Sequence, residues 1–455
     1  MGADPLAAAG PRPAGTLLRL RLNRADSAAD YNDPMANRRT FLMMGGAALA
    51  SPGSRAQTGT LRLGLIGCGW YGMVDLNAAF QNGGVQCAAL CDVDSEHLAT
   101  AAAEVEKRQG KRPATHKDYR ELLDTPGLDA VIIATPPQWH ALQFIDACRK
   151  KLAVYCEKPL SYDVREGQAM VRVWKEAGNI VQIGFQRRQA ESFQAARDYI
   201  RSGAPGRIIQ VDVNIHYTAQ MLDATPQDPP QSLDWDAWCG PGPKLPYRPN
   251  IGHKAWRLEA AYGNGHLVDW GIHLIDAARV VMGLETPKSI VAAGGLYYLK
   301  DRITTPDTLT AHFEFDLCPV VWRHRLWGAA EYDPEVANGV FFFGDKETVF
   351  ASDRRWVIVP KGKDAAKRVM AAGGRNPGVA HMQEFLNAVR SRSQPSCSPE
   401  DAWRSTATVQ LGMISYNTRS RVEWDPVRLR IPNNPEAEAM LLRPYRPPYR
   451  HPHEG

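Results

Sequence analysis

Leu61-Arg62-Leu63-Gly64-Leu65-Ile66-Gly67-Cys68-Gly69-Trp70-Tyr71-Gly72 carries a short apolar segment straight into G-x-G-x-x-G. A helical stretch through Phe80 follows, then a second apolar segment, Val85 to Leu90, closed by Cys91-Asp92. Strand, glycine turn, helix, strand and terminal acid in this order predict a βαβ unit that binds a dinucleotide. Gly67 permits the tight turn, Gly69 lets the backbone approach a pyrophosphate, and Gly72 lets helix and strand pack closely. The helix N-terminus, at Trp70 and Tyr71, attracts the phosphate charge. Asp92 stands where its carboxylate accepts ribose hydroxyls. It would repel a ribose 2′-phosphate, and no Arg directly follows it, so NAD is favoured over NADP.

Further along, Leu128-Asp129-Ala130-Val131-Ile132-Ile133-Ala134 is a continuous apolar strand of the kind buried inside a parallel sheet. It ends in the loop Thr135-Pro136-Pro137-Gln138-Trp139-His140, and a helix to about Lys150 leads into the strand Leu152 to Cys156. A further helix reaches Asn179-Ile180-Val181-Gln182-Ile183-Gly184. Ligands of doubly wound sheets bind past the C-terminal ends of the strands, which assigns Asp92, Thr135, Pro136, His140, Glu157 and Gln186 to the cofactor side. Glu157-Lys158-Pro159 ends one of these strands in a carboxylate and an amine, which marks a site rather than a surface.

From Ile208 the pattern changes. Ile208 to Tyr217 alternates, and strand-like runs recur near Ser289 to Leu296, Asp307 to Phe315, Val320 to Leu326 and Gly339 to Phe343. Consecutive strands with few helices between them predict an antiparallel sheet. The Trp- and Pro-rich stretch Gln220 to Tyr262 is long enough to predict a functional loop. On the helix that follows, His266, Asp269, His273 and Asp276 recur on one face. His266 and Asp276 are expected to cap neighbours and hold domains together. The i, i+4 spacing of Asp269 and His273 lets the carboxylate hold the imidazole in one tautomer and raise its basicity, as a general base requires; on the residues alone a satisfied hydrogen-bonded network is the other reading. Four ligands spread over more than two turns of one helix cannot converge on an ion, so no metal is expected.

The G-L-I-G-C-G-W-Y-G turn, the A-T-P-P-x-x-H loop, the E-K-P tripeptide and Gly265-His266-Leu267-Val268-Asp269-Trp270-Gly271-Ile272-His273 together resemble the Gfo/Idh/MocA oxidoreductase family, which includes glucose-fructose oxidoreductase and myo-inositol dehydrogenase. The resemblance runs from Leu61 to the C-terminus. It implies an α/β protein: an N-terminal Rossmann domain with a doubly wound parallel sheet, and a C-terminal α/β domain on a large open, mainly antiparallel sheet. It further implies hydride transfer between nicotinamide and a hydroxyl-bearing carbon of a sugar, polyol or glycoside. By the same resemblance Lys158, Asp269 and His273 are expected to carry the catalysis, with Arg187, Trp256 and Arg257 expected on the substrate wall, core packing being the other reading for Trp256. One local departure from the family is Arg149-Lys150-Lys151, where Gly-Lys is common, so Lys151 is expected to take the left-handed cap.

The resemblance leaves a second reading open, since NAD-dependent α-N-acetylgalactosaminidases belong to the family: an exported glycoside hydrolase or lyase with tightly bound NAD, recycled after transient oxidation. A third, a non-catalytic NAD-binding regulator, is disfavoured by the joint presence of Lys158, Asp269 and His273.

The chain has 455 residues, 44% of them hydrophobic, and a formal net charge of +5. That length suits two or three domains, and so small a charge without a basic stripe excludes nucleic acid as an expected partner. Asn37-Arg38-Arg39-Thr40-Phe41-Leu42 before Met43 to Ala50 looks like a twin-arginine signal, with cleavage after Ala56. The apolar part is too short to span a bilayer, so an exported, periplasmic protein without an integral membrane segment is expected. The expected organisation is a leader at 1–56 (1–34 being an upstream mis-start), an NAD-binding domain at 57–186, a substrate and oligomerisation domain at 187–425, and a tail at 426–455. A homo-oligomer, dimer or tetramer, is expected with it. The eight cysteines contain no C-x-x-C pair and are expected reduced and mostly buried.

Overall fold

Alternating strands and helices from Leu61 onward build a six-stranded sheet: β1 (Leu61–Ile66), β2 (Val85–Cys91), β3 (Ala114–His116), β4 (Ala130–Ile133), β5 (Ala153–Glu157) and β6 (Val181–Gly184). A computed structural model describes residues 59–253, 255–329 and 336–454; the export signal read at 37–56 lies outside them. The strand order is β3-β2-β1-β4-β5-β6 and every pairing is parallel. Strands β4 and β5 are buried along their whole length, as a sheet covered on both faces requires. The order reverses between β1 and β4, which opens a crevice at their C-terminal ends. Asp92, Thr135, Glu157 and Gln186 all stand at that edge.

The second sheet has nine strands: β7 (Ile208–His216), β8 (Ser289–Gly295), β9 (Thr308–Glu314), β10 (Pro319–Arg325), β11 (Asn338–Gly344), β12 (Glu347–Ala351), β13 (Arg355–Pro360), β14 (Arg368–Ala371) and β15 (Val422–Glu423). They lie in the order β14-β13-β12-β11-β7-β10-β9-β8-β15. All neighbours are antiparallel except β7 and β10, which pair in parallel because the chain between them crosses over through the 218–262 segment and two further strands. Along β9 the residues Leu309, Ala311 and Phe313 point into the core, while Thr310, His312 and Glu314 face out. This period-two alternation is that of a sheet with one covered face. The helices Ile272–Met282 and Pro399–Thr418 supply the cover.

The alternation made five of these strands legible; β12 to β15 and the helices among them are additions. The helix Pro377–Ser391 returns to the first domain, where Met382, Phe385 and Leu386 share a core with Leu61, Leu63 and Tyr155. Segment 218–262 has its own apolar nucleus of Trp235, Trp238, Ile251, Trp256 and Tyr262, with the first two indoles stacked at 4.6 Å. It lies on the dinucleotide domain: the Trp139 indole donates to the Ala237 carbonyl (3.0 Å), the Ser95 amide to Ser232 (2.9 Å) and the Asp234 amide to Val93 (3.0 Å).

The basic C-terminal segment packs on the body as a strap. His451 pairs with Asp163 at 3.0 Å, the Tyr445 hydroxyl donates to Glu166 at 2.7 Å, and Arg446 pairs with Asp236 at 2.8 Å. Lys151 adopts φ 61°, the left-handed cap expected where Gly is missing. All eight cysteines are free and buried. Among the described residues no helix is long and apolar enough to cross a membrane.

Candidate active site

The glycine turn is built as its spacing requires. Gly67 has φ 91°, and a Cβ on Gly72 would stand 1.9 Å from the Gly67 carbonyl oxygen, so only glycine lets the helix Trp70–Asn82 start this close to β1. Gly69 occupies the position before the helix. Asp92 grips the turn, its two oxygens accepting the amides of Cys68 (2.6 Å) and Asp94 (2.9 Å). Trp70 is exposed, and its ring meets Tyr71 edge-on at 5.5 Å. Burial, followed by the charges of Glu157 and Asp75, raises the Tyr71 hydroxyl, against the opposing charges of Arg187 and Arg257. Tyr71 therefore lies in the field of both domains.

Glu157 ends β5 and turns inward. Its carboxylate accepts Gln186 Nε2 at 2.6 Å and the Lys158 amide at 3.2 Å, and Gln186 also donates to the Tyr155 hydroxyl at 3.1 Å. Burial pushes the Glu157 carboxyl up to about 7, although the Lys158 charge and the Gln186 hydrogen bond oppose this. Glu157 and Gln186 thus brace the strand end that carries Lys158.

The Lys158 ammonium crosses to the other domain. Nζ donates to the Asp269 carbonyl oxygen at 2.8 Å and to its Oδ1 at 2.9 Å, while Asp269 Oδ2 takes Arg257 Nε at 3.0 Å. Asp269 is 3% exposed; burial alone would raise its carboxyl, but the two cations hold it below the ordinary carboxylate range. The expected Asp269–His273 couple is not formed. Residues Leu267–Gly271 wind as a π-helical turn, which alters the angular offset that an α-helical i, i+4 spacing assumes, and Asp269 is taken by Lys158 and Arg257 instead. His273 Nδ1 is buried with no partner among the described residues. Burial, then the charges of Lys158, Arg187 and Arg257, hold the imidazole well below its usual range, so it is neutral.

Two family models match the chain: an oxidoreductase-family, NAD-binding Rossmann fold over residues 61–185, and an oxidoreductase-family C-terminal α/β domain over residues 211–451. The chain belongs to the Gfo/Idh/MocA oxidoreductase family. It is similar to a myo-inositol 2-dehydrogenase of Thermotoga maritima, 25% identical over 354 residues that cover 75% of this chain and 92% of that one. A levoglucosan dehydrogenase of Pseudarthrobacter phenanthrenivorans is 31% identical over 183 residues, 40% of each chain. A glycosyl hydrolase family 109 protein of Stenotrophomonas maltophilia is 27% identical over 187 residues, 40% of this chain and 41% of that one. Among solved structures, a levoglucosan dehydrogenase in complex with NADH and levoglucosan superposes with a TM-score of 0.63 at 20% identity, covering 80% of this chain and 99% of that one.

As a family member the chain is an NAD-binding oxidoreductase, and its turn fits the cofactor: Gly67 and Gly72 sit at distances where a Cβ would meet backbone, the nearest atom to a Cβ on Gly69 would be His97 Nδ1 at 3.9 Å, and a carboxylate ends β2. Gly72→Ala is expected to open the turn and lower NAD affinity at least tenfold in a fluorescence titration; unchanged affinity would contradict the role of this contact.

Other predicted residues fall elsewhere. His140 is fully buried with Nδ1 2.8 Å from the Pro159 carbonyl oxygen and Nε2 2.8 Å from that of Thr135, so it ties the two loops together rather than touching a ligand. Thr135 donates to Gln143 at 2.7 Å, and Pro136 opens the helix Pro137–Arg149. Trp256 belongs to the apolar nucleus of segment 218–262, because its ring is buried there beneath the Arg257 guanidinium; only Arg257 reaches Asp269. Arg187 holds Asp353 at 2.6 and 2.8 Å and lies over the Trp270 ring. Arg187, Trp270, Leu274 and Asn338 line a cleft of about 230 Å³.

Asp276 is a satisfied structural acid bound by Arg188 and Ser405. His266 caps nothing: its Nε2 is buried without a partner among the described residues, and its ring packs on Tyr217 and His324. Tyr217 and Trp270, 39% and 42% exposed beside these groups, are site residues that the sequence reading missed. Trp270 stands in the Asp269-Trp270-Gly271 run, and only its exposure identifies it as more than core.

Proposed function

We propose that this enzyme moves hydride at a hydroxyl-bearing carbon of a sugar, polyol or glycoside. The observation that carries the reading is a part-buried lysine from the dinucleotide domain, held at 2.9 Å by an ionised carboxylate of the second domain, beside a neutral histidine with an unused ring nitrogen. NAD, when bound, supplies the hydride acceptor or donor. Lys158, oriented by Asp269, donates a hydrogen bond to the substrate oxygen and stabilises negative charge developing on it. His273 accepts the hydroxyl proton at a ring nitrogen, and Arg257 helps Lys158 keep Asp269 ionised. Trp270 and Tyr217 offer aromatic faces to the C–H surface of a ring. The myo-inositol and levoglucosan dehydrogenases among the relatives support this substrate class.

Because burial and three cations depress His273, the base stays deprotonated below the usual imidazole range. The acid limb of kcat/KM is therefore expected well below pH 6.5, with a plateau through neutrality, and His273→Asn should remove that limb. A limb at or above pH 6.5 that persists in the variant would exclude His273 as the base.

The family 109 relative keeps a second reading in view, a glycoside hydrolase with recycled NAD. The purified protein, checked for co-purifying NAD, is incubated with polyols and glycosides without added cofactor. Stoichiometric NADH supports the dehydrogenase; aglycone release without net NADH overturns it in favour of the hydrolase. We further propose twin-arginine export with cleavage after Ala56, for which a mature N-terminus at Gln57 is expected, and a homo-oligomer formed on the open face of the nine-stranded sheet, read by light scattering.

A further inference from the structure

Asp94, His97 and His253 meet where segment 218–262 lies on the dinucleotide domain, and we propose that they bind a divalent transition-metal ion, with zinc as the best match. Their ligand-type atoms all lie within 4.8 Å of one another. Two atoms bound to one tetrahedral zinc, with bonds of ~2.0–2.1 Å, are roughly 3.3 Å apart. Asp94 Oδ2 and His253 Nε2 already stand at 3.2 Å, the edge such an ion needs. The His97 and His253 rings are 4.4 Å apart, so the third ligand reaches the same point through a small side-chain movement.

The valences are available. Asp94 uses Oδ1 to accept the amides of Glu96 (2.9 Å) and His97 (3.3 Å), capping the helix Ser95–Gln109; the Ser232 hydroxyl also bonds the carboxylate, which is thereby fixed with Oδ2 on His253. Neither ring nitrogen of His97 has a hydrogen-bond partner among the described residues. Both histidines are partly exposed, which leaves room for entry and for a water as fourth ligand. Two imidazoles and one carboxylate are a donor set suited to zinc.

The other dense cluster, Asp163, Glu166 and His451, differs on each point. It is fully buried; His451 Nε2 is spent on Asp163 and its Nδ1 on the His453 amide, while Glu166 takes the Tyr162 amide and the Tyr445 hydroxyl. That cluster is a hydrogen-bonded lock without an open position.

An ion at Asp94 would join a residue just past β2 to one 159 positions later, stapling segment 218–262 beside the cofactor crevice. The expectation of no metal rested on the 266–276 helix; residues 94, 97 and 253 share no spacing motif, and only the fold brings them together. The inference does not depend on the substrate or on the chemistry at Lys158.

The test uses the full chain, stripped with chelator and titrated with Co²⁺, then Zn²⁺. One Co²⁺ per chain, with the strong visible absorption of a tetrahedral site, displacement by Zn²⁺ and a raised Tm are expected. His97→Ala and His253→Ala should each weaken binding at least tenfold and abolish the Tm shift, while metal-free Tm and far-ultraviolet circular dichroism stay close to wild type for His97→Ala, whose side chain is partly exposed. No uptake, or equal uptake by wild type and His97→Ala, would overturn the site.

Discussion

Lys158→Met is expected to lower kcat by a factor of about 10³ or more while leaving NAD affinity within a few fold. The substitution keeps the length of the side chain and removes its charge and its donors. Among the described residues the ammonium is the one cation of the dinucleotide domain that reaches Asp269, bonding its carbonyl oxygen at 2.8 Å and its carboxylate at 2.9 Å, and its backbone is fixed by Glu157. The glycine turn and Asp92 are separate from it in the sheet, so cofactor retention should survive. Turnover within tenfold of wild type, on a substrate that the wild-type enzyme demonstrably converts, would remove Lys158 from the chemistry.

The second large effect belongs to Asp269→Asn. This variant preserves shape but removes the anion shared by Lys158 and Arg257 at 2.9 and 3.0 Å. Leaving two cations without their buried partner is expected to cost about 3–5 kcal/mol of stability, read as a lower denaturation midpoint. Loss of the orientation of Lys158 should lower kcat by about 10²–10³. If Asp269 instead served His273, His273→Asn would reproduce its kinetic loss and its stability would change little; the two variants should therefore differ in stability, with Asp269→Asn much the weaker fold.

Much of this arrangement was legible in the sequence because its signals are local. The run Leu61 to Gly72, the acid at Asp92 and the tripeptide at Glu157 each sit at a strand end, and a buried parallel strand announces itself as an uninterrupted apolar run. The alternating strands of the second sheet were visible for the same reason. The partnership of Asp269 was not. Its error came from assuming α-helical spacing across a π turn, and no local pattern announces that turn at Leu267–Gly271. Trp256 and His140 were misplaced because an aromatic ring and an imidazole look alike in sequence whether they line a cleft or fill a core. His140 has both ring nitrogens on carbonyls, and Trp256 lies beneath Arg257; both facts depend on contacts between distant segments. The return of the Pro377–Ser391 helix to the first domain was illegible for the same reason, since its apolar face does not say which core it joins.

The most direct test of the split site is the crystal structure of the NAD-bound enzyme with the polyol or glycoside that turns over in the panel. One hydroxyl oxygen is expected within about 3 Å of both Lys158 Nζ and a ring nitrogen of His273, with Asp269 still on Lys158 and Arg257. A substrate bound with no oxygen near Lys158, or with Asp269 turned onto His273, would contradict the account.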